Sequence, residues 1–135
     1  MPTYNSRTIG ITIARDWRAV YAYAANPANM TQWAAGLGNA FVEDGDFWVA
    51  RDPGGNAIRV RFCPPNEFGV LDHDVHVGDA IVHVALRVMP NGDGADVSFL
   101  LLQERGMSDA DFERDAAAVR KDLAALKRIL ESTAS

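Results

Sequence analysis

The residues best equipped for chemistry cluster in one short segment, Asp72-His73-Asp74-Val75-His76, with His83 a little further on. Alternating imidazoles and carboxylates are what a divalent metal site needs. On a strand Asp72, Asp74 and His76 share one face, and a hairpin through Gly78-Asp79 sets His83 opposite Asp74. The same alternation sends His73 to the other face, where a neutral imidazole can serve as general base or as a polar handle for a bound molecule. Elsewhere the chemistry thins out. Cys63 is the only cysteine, which excludes an intrachain disulfide and a cysteine-based zinc cluster and fits a reducing compartment. It precedes Pro64-Pro65 with no activating partner in sequence, so it reads as inert. Gly36-Leu37-Gly38 lacks the rest of a dinucleotide fingerprint. Trp17, Trp33 and Trp48 can wall a pocket or simply fill a core.

Which of these readings survives depends on the elements that carry them. Thr8–Ile13 alternates as a strand, Asp16 caps a helix through Val20, Tyr21 and Ala24, and a short second helix is expected over Ala28–Trp33. Strands are expected over Ala40–Asp44, Phe47–Asp52, Ala57–Cys63, Val70–Val77, Ala80–Met89 and Ala95–Glu104, separated by Gly-rich turns. This is an antiparallel meander. The Gly78-Asp79 turn sets Val77 against Ala80, Val75 against Val82, His73 against Val84 and Leu71 against Leu86. Continuing that parity puts Ile58, Val60, Phe62, Val97, Phe99 and Leu101 on the same inner face. The outer face then pairs Arg59 with Asp74, Arg61 with Asp72 and Arg87 with Asp96, at about 0.2 to 1 kcal/mol each. Carboxylates already matched with arginines argue against a metal, and none is assigned.

His73, turned inward among Leu71, Val75, Val84 and Val60, requires a hydrogen-bond partner. It is either a core histidine bonded to a backbone carbonyl or water, or a functional group in a pocket, and the sequence leaves both open. Outward Ile81, Leu100 and Leu102 read as scattered surface apolarity or, more sharply, as a homodimer contact.

The clearest helix is the last. Ser108 and Asp111 form a capping-box-like start, and Phe112, Ala116, Val119, Leu123, Leu126 and Leu130 make an apolar stripe. Seven strands about 4.8 Å apart span about 30 Å, whereas one helix covers only about 10 Å. Alanines flank the stripe at 117, 118, 124 and 125, so space is expected between sheet and helix, and an apolar cleft with few polar groups is a binding site.

The whole chain bounds the partners. Its 135 residues carry 13 basic and 18 acidic side chains, a net charge of -5 that argues against nucleic acid. With 48% hydrophobic and 23% charged residues, a single domain over 1–135 with one core is expected. The opening residues lack a signal-peptide core and no apolar run is long enough for a membrane span, so a cytoplasmic protein without membrane insertion is expected.

The segment Val20-Tyr21-Ala22-Tyr23-Ala24-Ala25-Asn26-Pro27-Ala28-Asn29-Met30-Thr31-Gln32-Trp33 after the first strand, with the element order, resembles the SRPBCC superfamily of START-like or Bet v 1-like helix-grip proteins. Phe68-Gly69-Val70-Leu71-Asp72-His73 and Gly106-Met107-Ser108-Asp109 are similar to a bacterial subgroup of polyketide cyclase/dehydrase and lipid-transport-like proteins. The resemblance implies an α+β helix-grip fold: a seven-stranded curved antiparallel sheet around a long C-terminal helix, with two short helices after strand 1. It implies no cofactor and no transferable catalytic set. The leading expectation is a binder of a small hydrophobic molecule, lipid or aromatic and polyketide-like. Val60, Phe62, His73, Val84, Phe99, Val119 and Leu123 would line the site, with Trp33 near its entrance. The alternatives are a cyclase or dehydratase with His73 as general base, and an interaction module of the co-chaperone type.

Overall fold

The computed structural model describes residues 3–38 and 40–132. Strand β1 (Ser6–Ile13) leads into helix α1 (Trp17–Ala24), a 3-10 turn (Pro27–Asn29), the one-turn helix α2 (Met30–Trp33) and a second 3-10 turn (Ala35–Leu37). Then come β2 (Val42–Asp44), β3 (Phe47–Arg51), β4 (Ala57–Phe62), β5 (His73–Val77), β6 (Ala80–Asn91), β7 (Gly94–Leu102) and helix α3 (Asp109–Ser132). The strands form one seven-stranded sheet in the order β1-β7-β6-β5-β4-β3-β2, each neighbouring pair antiparallel. This is the expected helix-grip arrangement. Among the described residues no helix is long and apolar enough to cross a membrane.

Local chemistry accounts for the helix boundaries. The Asp16 carboxylate accepts from the Arg18 N–H at 3.1 Å, and Ser108 Oγ accepts from the Asp111 N–H at 3.1 Å, each satisfying an orphan donor of a first turn. The second helix, expected as one piece from Ala28, is instead split. Asn26 Oδ1 takes the Ala28 N–H at 3.1 Å and Pro27 starts a 3-10 turn, which leaves only Met30–Trp33 α-helical.

Three hairpins turn on Gly-Asp pairs, with Gly45, Gly78 and Gly92 at φ 63, 58 and 55. Positive φ at the first central residue alone is the type II′ pattern, which matches the twist of the flanking strands. The β5–β6 register is as expected, with His73 opposite Val84 and Asp74 opposite His83.

The neighbouring registers differ from expectation. Arg59 lies opposite His76, Arg61 opposite Asp74 and Arg87 opposite Ser98, so the pairs Arg59–Asp74, Arg61–Asp72 and Arg87–Asp96 are not formed. Each register is displaced by two residues, an even number that changes partners and keeps faces. The connections explain it. Segment 63–72 joins β4 to β5 without a tight turn, and β6 runs on through Pro90 until Asn91 pairs with Gly94. Arg87 instead binds Asp72 at 2.8 Å, Arg59 stacks 4.2 Å over the Phe47 ring, and Asp96 accepts from Thr12 Oγ1 at 2.7 Å.

The strand expected from Val70 begins only at His73. Leu71 N–H still donates to Leu86 O at 2.8 Å, but the Leu86 N–H goes to Asp72 Oδ1 at 3.0 Å in place of a backbone carbonyl. Just before it, Gly69 has φ 74, and a Cβ there would fall 2.0 Å from Val88 O. Only glycine permits that approach.

The core lies between the sheet and α3, around Ile13, Val88, Val97, Leu126 and Leu130. Polar ties fix α3 to one side: Lys127 Nζ donates to Thr12 O at 2.7 Å, Glu131 accepts from the Ala14 N–H at 2.8 Å, and Arg7 pairs with Glu113. The helix therefore lies on β1 and β7. The inner face of β4 and β5 is left to other cover.

Candidate functional site

Across from that face stand the C-terminal ends of α1 and α2, where the small side chains Ala24, Ala25 and the capping Ala34 border open space. Two cavities result. The larger, about 470 Å³, lies among Tyr21, Ala24, Met30, Trp48, Phe62 and the Cys63-Pro64-Pro65 segment. The smaller, about 240 Å³, lies among Leu37, Val60, Val75, Phe99, Val119 and Leu123. Met30, Trp33, His73 and Leu86 border both, so they form the partition. The larger volume alone is in the range that holds a small organic ligand.

Of the side chains expected to line a site, Trp33, Val60, Phe62, His73, Phe99, Val119 and Leu123 border one or both cavities. Val84 does not; it is buried in the core across from His73. Trp33 is not at an entrance. It is 6% exposed, on α2 with Met30 three residues before it on the same side, and stands between the cavities. Its indole Nε1–H is the buried side-chain donor without a partner among the described residues. An unmade buried hydrogen bond costs about 1 to 3 kcal/mol.

His73 is 9% exposed, and its Nδ1 lies 2.9 Å from Leu71 O. A carbonyl only accepts, so the proton sits on Nδ1, and in the neutral ring Nε2 keeps its lone pair. Burial is the main influence and pushes its pKa below the ordinary 6.5, against the pull of Leu71 O and the nearby carboxylates. The ring is therefore neutral near pH 7, with an acceptor nitrogen, Nε2, that has no hydrogen-bond partner among the described residues. Phe62 stacks at a tilt 5.5 Å from it, and Phe41 continues the aromatic wall to Trp48.

A further polar group escaped the sequence reading. Asp122 on α3 borders the smaller cavity. Burial pushes its carboxyl pKa up, partly opposed by the Ala35 N–H it accepts at 3.3 Å. His73 therefore shares the smaller cavity with a second titratable group. The signal available was position: Asp122 follows Val119 by three and precedes Leu123, at the margin of the apolar stripe.

Cys63 borders the larger cavity, and burial pushes its thiol pKa up, so it stays a thiol and donates to Val70 O at 3.3 Å. On the outer face Arg87, Asp72, His83 and Asp74 form one chain, with His83 Nδ1 2.7 Å from Asp74 and Arg87 2.8 Å from Asp72. Among the described residues no group of three or more His, Cys, Asp or Glu is arranged to hold a metal ion. In sum, the site offers an apolar and aromatic enclosure with a neutral imidazole acceptor at its centre.

No family model matches the chain, and no curated protein matches it. Solved structures do. The Aha1 dimer from Colwellia psychrerythraea is similar at a TM-score of 0.73 and 15% identity, over 94% of this chain and 96% of that one. DynU16, from the dynemicin biosynthetic locus, reaches 0.72 at 11% identity over 94% of this chain and 47% of that one. Ara h 8.0201 reaches 0.67 at 9% identity over 96% and 99%. At these identities the likeness is one of fold.

Proposed function

We propose that this chain, which has the Bet v 1-like (SRPBCC) helix-grip fold, binds a small apolar molecule in the space that α1, α2 and α3 enclose against the sheet. The observation that carries this reading is the pair of cavities of about 470 and 240 Å³ sharing the Trp33–His73 partition. Clefts lined mainly by apolar and aromatic side chains with a few polar groups are where proteins bind small molecules. Trp33, Val60, Phe62, His73, Phe99, Val119 and Leu123 would contact that ligand.

Native mass spectrometry against a panel of lipids and aromatic polyketides tests the reading. The expected result is a 1:1 adduct that also raises the thermal midpoint. Binding at a hundred times Kd adds about 2.7 kcal/mol to stability. No adduct and no shift across the panel would overturn it.

A second reading, a cyclase or dehydratase, draws on Asp122 bordering the same cavity as the neutral His73 ring. His73 Nε2 would take a proton from an acidic carbon of a poly-β-keto substrate. His73→Gln would then abolish turnover and keep binding; equal turnover in the variant removes the reading.

A further inference from the structure

The two cavities carry charge of one sign. Glu43 and Asp46, exposed on the β2–β3 hairpin, border the outer end of the larger cavity, and Asp122 borders the smaller. Among the described residues no lysine or arginine borders either one. Asp72 also borders the larger cavity, but Arg87 at 2.8 Å and the Leu86 N–H at 3.0 Å occupy its carboxylate. Glu43 and Asp46 have no such partner among the described residues. Deeper in, the 9% exposed His73 presents an Nε2 lone pair with no partner among the described residues, because Nδ1–H is committed to Leu71 O. The walls between these polar points are aromatic, Tyr21, Trp48, Phe62 and Trp33, and Trp33 adds one neutral donor, its unpartnered indole N–H, which a ligand hydroxyl oxygen can satisfy while its O–H goes to His73.

Acceptors and anions select for what they can accept. A ligand O–H or N–H satisfies His73 Nε2, and a protonated amine satisfies the hairpin carboxylates. A ligand carboxylate meets like charge at the hairpin with no bordering lysine or arginine among the described residues to offset it, a repulsion that is felt most at low salt. Flat rings suit the aromatic walls. We propose that the ligand is an aromatic compound bearing amine or hydroxyl donors, that carboxylate-bearing molecules such as free fatty acids are excluded, and that Glu43 and Asp46 receive the amine. This rests on the cavity-binding reading above and narrows it to a ligand class.

Three probes with one ring system and different head groups test it: 1-pyrenemethylamine, 1-pyrenemethanol and 1-pyrenecarboxylate, titrated by fluorescence at pH 7 and low salt. The alcohol should bind at least about tenfold tighter than the carboxylate, and the amine about threefold tighter than the alcohol. In Glu43→Gln/Asp46→Asn the amine's advantage over the alcohol should vanish. That ratio is a readout which a general loss of structure does not move selectively. A carboxylate that binds as well as the alcohol overturns the inference and leaves the cavity reading standing. No binding by any probe overturns both. An amine advantage that survives in the double variant overturns the assignment to Glu43 and Asp46.

Discussion

His73 is the residue at which structure and titration meet. Its native pKa lies below the ordinary 6.5 because burial penalises the charged ring. The unfolded chain, with the ordinary value, therefore binds a proton first as pH falls, so stability rises with pH between the lowered native value and about 6.5. Equivalently, acidification from pH 7 to about 5.5 should cost the wild type stability that His73→Gln does not lose. Urea midpoints of both proteins along that series measure the difference; the carboxylates titrate in both and cancel. Equal slopes would mean an imidazole free to charge, contrary to its burial. The inward turn of His73 was legible from parity alone, because a two-residue turn fixes both register and face. Asp122 was not legible in the same way. A stripe drawn through apolar residues omits a carboxylate at its margin, and only the position of α2 relative to α3 makes that margin face a cavity.

At the scale of elements, α3 is divided between packing and enclosing. Leu126 is fully buried where α3 lies on the core, whereas Val119 is half-buried and faces the smaller cavity. Truncation should separate the two roles. Leu126→Ala is expected to cost about 2 to 5 kcal/mol, because it opens a new void in closed packing. Val119→Ala only enlarges a space already present and should cost about 1 kcal/mol or less. Urea unfolding of the two variants checks this, and equal losses would mean that the space beside Val119 is filled in solution. The stripe itself was readable from its period, as were the strands. The registers of β4 with β5 and of β6 with β7 were readable only to within two residues. Burial of one face penalises a slip of one and is indifferent to a slip of two, so Arg87 found Asp72 rather than Asp96. The break in β5 was hidden for a related reason: Asp72 supplies the acceptor that a strand residue would have supplied.

At the scale of the whole molecule, the convex face of the sheet decides whether the chain assembles. Ile81 is 63% exposed and Leu100 38%, and with Leu102 they suggested a homodimer contact. The register separates them. Leu100 pairs with Ala85, and Ile81 lies further along β6 beyond the exposed His83, which is bonded to Asp74 in the same chain of charges that includes Asp72 and Arg87. An isologous interface over all three residues would have to bury about 800 Å² per partner and desolvate that charged chain, which is costly without new partners for it. The chain on its own is therefore expected to sediment as a monomer at micromolar concentration, with Leu100→Asp indistinguishable from the wild type. A dimer that Leu100→Asp dissociates would reverse this and make the convex face an interface, with the Arg87–Asp72–His83–Asp74 chain at its centre.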